Sequence, residues 1–150
     1  MVSDSRSIST ISVEDFYAGR GYIWRLRGAT GGALKIKLVT PAFTKVDRIP
    51  MSAINYDGNI DIAVYEGGSA TSGGSLVTPL NALRSSTRTS LITCTSGVTY
   101  ANDGTVLEAW TGTKAQSPNL ELWYLKPSTQ YVITFSGASN YRIQWAEVYE

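Results

Sequence analysis

Glu66 in "VYEGG" and Glu108 in "LEAW" are acids set beside aromatic side chains, and two carboxylates flanking a sugar ring form a hydrolytic device that needs neither metal nor imidazole. They are the candidates for an enzyme. The chain has no histidine, which removes the commonest general base, the commonest zinc ligand and the hub of Ser/His/Asp and Cys/His nucleophile systems. The other acids mostly fall in turns (Asp57, Asp103), at outward strand positions (Asp61, Glu121) or near the ends (Asp4, Glu150). Accidental neighbours among them are a better expectation than a working pair. Cys94, the only cysteine, has no imidazole to activate it and reads as a small buried hydrophobe. It permits no intrachain disulfide, which suits synthesis in a reducing cytoplasm. "GATGGALK" lacks the Gly-Lys-Ser/Thr ending of a phosphate-binding loop, and "NYDGNIDI" lacks the ligand order of a calcium loop. No catalytic, cofactor or metal site is assigned.

Aromatic and basic side chains are the richer resource. Trp24, Trp110, Trp123 and Trp145, with nine tyrosines, could stack on sugar rings or fill a core and an interface. Trp145 falls in register with Tyr141 and Ile143 and belongs to the core. Trp123, out of register with Leu120 and Leu122, is expected to face outward, where a tryptophan fits a subunit interface. Net charge is +1, against a dedicated nucleic-acid binder, which needs a basic surplus to neutralise phosphates. The charge is uneven: Arg20, Arg25, Arg27, Lys35, Lys37, Lys45 and Arg48 are opposed within their stretch by Asp47 alone. Either these are solvated outward strand faces, or they are a footprint for an acidic partner surface.

The elements that must hold these groups read as strands. In "ALKIKLVT" Leu34, Ile36 and Leu38 point one way and Lys35 and Lys37 the other; "NIDIAVYE" repeats the pattern with Ile60, Ile62 and Val64. "YIWRLR", "TVLEAW", "LELWYL", "YVITF" and "YRIQWAEVY" follow suit, and a one-residue slip in the last would expose its whole apolar set. Turn signals separate them: "GATGG", "YDGN", "SGGS", "NDGT", "KPST" and "SGASN". About seven to ten strands at this spacing mean an all-β sandwich or barrel, and "TPLNALRSS" offers at most a turn or two of helix. At 150 residues one domain is expected. No apolar run approaches the ~20 residues of a membrane span, and "MVSDSRSIST" lacks the order of a signal peptide. The serine-rich start is either a frayed terminus or, if Ile8, Ile11 and Val13 pair with something, an arm lying along a sheet edge or a partner.

From Ala33 onward the chain resembles the capsid decoration, or cement, proteins of tailed bacteriophages. The likeness is carried by "VYEGGSATSGGSLVTPLNALRSSTRTS", "NDGT", "WYLKPSTQYVITF" and "YRIQWAEVYE". The first thirty residues match loosely, and "VEDFYAGRGYIW" stands where relatives often carry a histidine-containing segment. The resemblance implies a jelly-roll-like antiparallel β-sandwich (17–150) behind an extended N-terminal arm (1–16), without enzymatic activity. It implies a homo-oligomer, dimer or trimer, made in the host cytoplasm and bound to the major capsid protein on the capsid exterior, touching neither nucleic acid nor membrane. Partner contacts are then expected from Ile8, Ile11 and Val13, from Arg20 and Arg25, from Arg84 and Arg88 at the far end of the small-residue excursion, and from Trp123. That excursion is expected to gain order only against a neighbouring subunit. A carbohydrate-binding or tail-fibre-type receptor-binding module shares the same sandwich and aromatics and is the alternative.

Overall fold

The computed structural model describes residues 20–112 and 123–149. Among them there is no helix, and the strands form two packed antiparallel sheets. The first sheet holds β1 (Gly21–Thr30), β3 (Val46–Arg48), β4 (Met51–Tyr56), β7 (Leu80–Asn81) and β11 (Ser139–Tyr149). Its order is β3-β11-β1-β7, with β4 pairing along the earlier part of β11. The second holds β2 (Leu34–Val39), β5 (Ile60–Ser72), β6 (Ser75–Val77), β8 (Thr93–Ser96), β9 (Thr99–Gly112) and β10 (Gln130–Phe135), in the order β6-β8-β2-β10-β5-β9. The chain is a β-sandwich.

Alternation sets the register. Across β1 and β11 Trp24 meets Trp145 and Leu26 meets Ile143, while in the facing sheet Ile36 and Leu38 of β2 meet Ile133 and Tyr131 of β10. All eight side chains enter one core, where each buried aliphatic stabilises by roughly 1.5–3 kcal/mol relative to exposure. The neighbours Arg25, Arg142 and Gln144 face the other way, and Arg25 Nε donates to Gln144 Oε1 at 2.7 Å.

Two sequence expectations change. The small-residue run after Tyr65 is strand, not loop: β5 continues through "YEGGSATS" and pairs with β9 almost to its end. "NDGT" is likewise no hairpin turn but a stretch of β9 paired in continuous register with β5, between two register shifts. Gly104 there has φ +106°, and a Cβ would stand 2.4 Å from the Glu66 carbonyl oxygen, so only glycine fits. The register shifts at three places along this pair, and bulges increase local twist. Asp103 reaches Lys35 of β2, Oδ1 to Nζ 2.6 Å.

"KPST" does turn the chain into β10, with Ser128 at φ 48°. The Lys126 N–H donates to the Tyr131 hydroxyl at 2.8 Å, and that hydroxyl donates to Glu66 Oε1 at 2.9 Å. Lys126 Nζ reaches Glu66 Oε2 at 2.9 Å. The Lys126 hydrogen bond, with that from Tyr131, holds the Glu66 carboxyl below its ordinary value despite partial burial.

Candidate functional site

The segment from Ser75 to Ile92 closes one lateral side of the sandwich. It turns out of β5 at Gly73 and Gly74, with φ +56° and +82°. As β6 it lies outermost on the second sheet, with Leu76 opposite Thr95 and Val77 opposite Cys94. Past "TP" it crosses to the first sheet as β7, again outermost, with Leu80 opposite Arg25 and Asn81 opposite Trp24. An outermost strand keeps one row of backbone N–H and C=O groups without a strand partner.

Four large apolar side chains stand out along this strap. Leu76 is 77% exposed, Leu80 50%, Leu83 39% and Leu91 41%; single exposed leucines are ordinary, but four within one short segment mark a contact surface. Arg84 is exposed beside them, its Nη1 3.5 Å from the Asn81 carbonyl oxygen.

The strap is fixed to the sandwich by its own bonds, which corrects the expectation that it is loose without a partner. The Ala82 N–H donates to the Ile23 carbonyl at 2.8 Å, and the Leu83 N–H to Asn81 Oδ1 at 2.9 Å. Further along, Glu147 of β11 is fully buried. It accepts from the Ser90 hydroxyl, the Leu91 N–H at 3.1 Å, Trp145 Nε1 at 3.0 Å and the Tyr149 hydroxyl at 2.8 Å. Burial, reinforced by the Glu147 charge, pushes the Tyr149 phenol up. Outside this knot the Arg88 guanidinium lies 4.9 Å from the Tyr22 ring centroid and 4.4 Å from that of Tyr149. This is cation–π distance to both.

Of the residues singled out in the sequence, Arg25, Arg84 and Arg88 meet at the strap. Arg20 joins them where its carbonyl accepts the Tyr149 N–H at 2.5 Å. Trp123 is elsewhere and is not the outward side chain expected: it packs against the core 6.5 Å from Trp110, and its carbonyl accepts from the Met51 N–H. Ile8, Ile11, Val13 and the arm lie outside the described residues. Glu66 has both oxygens engaged at the "KPST" corner, and Glu108 lies on β9 opposite Val64. Cys94 is buried, and burial pushes its thiol up to about 12. Sequence reasoning passed over the four leucines, whose signal was their recurrence in an otherwise small and polar run, and over Glu147, whose burial no local pattern announced.

Among the described residues no group of three or more His, Cys, Asp or Glu could hold a metal ion, and no helix is long and apolar enough to cross a membrane. The fold and site define an all-β sandwich with a leucine- and arginine-bearing strap on one side. No family model matches the chain, and no curated protein matches it.

Proposed function

We propose that this chain is a capsid decoration protein of a tailed bacteriophage, a jelly-roll-like sandwich that binds major capsid protein from the outside of the head and stabilises the shell. The observation that carries the reading is the strap: Leu76 and Leu80 exposed on outermost strands, Leu83 and Leu91 exposed on the chain that follows, with Arg25 opposite Leu80 and Arg84 beyond it. Such a surface suits apolar burial at a subunit boundary, with strand addition on the free backbone and forked pairing of arginine to shell carboxylates. The rigid anchoring by Glu147 and Arg88 lowers the ordering cost of docking. The jelly-roll assignment is supported by the order β2-β10-β5-β9 facing β1-β11-β4, with the chain crossing repeatedly between layers.

The mechanism is linkage. A protein that binds the assembled shell and not its separated subunits stabilises the shell by mass action, and a dimer or trimer at a symmetry axis adds avidity. The test is addition of purified chain to undecorated heads, followed by sedimentation and thermal disruption. Co-sedimentation with a raised disruption temperature is expected, and Leu76→Asp with Leu80→Asp abolishes both while leaving the circular dichroism spectrum unchanged. Failure of the wild-type chain to bind heads overturns the reading.

A further inference from the structure

On the outward face of the second sheet one rung of small side chains runs across three strands. Thr134 of β10 is opposite Ala63 of β5, which is opposite Ala109 of β9. The next residues on the same face are larger: Tyr65 on one side, Asp61 on the other. Between them lies a trough of about 450 Å³. One end is closed by the Lys35–Asp103 ion pair, and Lys35 Nζ also lies 5.8 Å from the Tyr100 ring centroid. A second depression of about 310 Å³ continues past Lys35 toward Tyr100 and shares Ala33, Lys35, Thr134 and Phe135 with the first.

We propose that this trough binds a neutral glycan, with a sugar ring lying on the Thr134–Ala63–Ala109 floor against Tyr65 and its hydroxyls meeting Asp61, Thr111 and the Lys35–Asp103 pair. The chemistry of the trough selects this ligand class. The wall carries two carboxylates, and its single lysine is already paired to one of them, so polyphosphate and acidic sugars are repelled. Backbone groups on a sheet face are consumed by the ladders, so an extended peptide finds no strand to join. What remains is an aromatic ring, an apolar floor and several short-range donors and acceptors within a volume typical of small-ligand sites, which matches the alternating C–H faces and hydroxyl rims of a pyranose.

Ala109 is exposed and points away from the core, so Ala109→Leu fills the floor without disturbing packing, and Asp61→Asn removes an acceptor charge while keeping shape. The experiment is a printed array of neutral and acidic glycans probed with labelled full-length protein, followed by titration of the strongest neutral hit against the ¹⁵N-labelled chain. Binding confined to neutral glycans is expected, with amide shifts centred on Ala63, Ala109 and Thr134. Ala109→Leu should weaken it by at least about tenfold, some 1.4 kcal/mol, and Asp61→Asn should weaken it as well. Absence of any hit, binding restricted to acidic glycans, shifts located elsewhere, or Ala109→Leu binding like wild type overturns the proposal. Because Ala109→Leu leaves the strap intact, its addition to undecorated heads separates this failure from failure of the capsid reading.

Discussion

Glu147 is a carboxylate with no exposure to water and donors on both oxygens. Trp145 Nε1 and the Ser90 hydroxyl address Oε2; the Leu91 N–H and the Tyr149 hydroxyl address Oε1. In Glu147→Gln, whichever way the amide turns, its NH₂ confronts either the indole or the backbone N–H, neither of which can accept. A loss of about 2–4 kcal/mol in denaturant unfolding is expected, with faster amide exchange in the strap, and an unchanged unfolding midpoint would contradict this knot. Glu66 gives a pH test. Its folded-state value is depressed below 4.5 by Lys126 and Tyr131, so its contribution is present at neutral pH and is lost as pH falls through the depressed value. Glu66→Gln should flatten the acid side of the stability profile below about pH 4.5 relative to wild type. The Cys94 thiol, raised to about 12 by burial, should not react with thiol reagents at mildly alkaline pH until the chain unfolds.

Elements that alternate cleanly were legible: β1, β2, β10 and β11 bury the side chains their period-two pattern assigns, because each has one face on the core. Short outermost strands were not. β6 and β7 cover only Ser75–Val77 and Leu80–Asn81, too few residues to display alternation, so their pairing is decided by tertiary contact with β8 and β1. "NDGT" misled for a related reason: a positive-φ glycine serves a hairpin turn and a strand position closely approached by its partner equally well, and only the partner strand distinguishes them. Gly104→Ala tests the close approach of β5 and β9. The added methyl meets the Glu66 carbonyl and the backbone must leave φ +106°, so destabilisation by more than about 1 kcal/mol is expected, read as a lowered melting temperature. A melting temperature equal to wild type would show that β5 and β9 do not approach as described.

At the scale of the whole molecule, the sandwich sorts its chemistry onto separate strands. The strap side collects the exposed leucines with Arg25, Arg84 and Arg88, whereas the trough and the Lys35–Asp103 pair span β2, β10, β5 and β9 on the outer face that Leu76 shares. That separation was not legible in sequence, since the strap arginines are far apart along the chain and meet only through β1, β7 and β11. Trp123 shows the converse error: strand parity placed it outside, but the chain at that point holds only an isolated bridge, Pro50 to Tyr124, and its ring turns to Trp110. Whether the strap grips a capsid shell is decided by mixing the purified chain with undecorated phage heads and measuring their thermal disruption. Saturable binding and an upward shift that Leu76→Asp with Leu80→Asp eliminates are expected. Heads that neither bind the wild-type chain nor gain stability from it would contradict that grip.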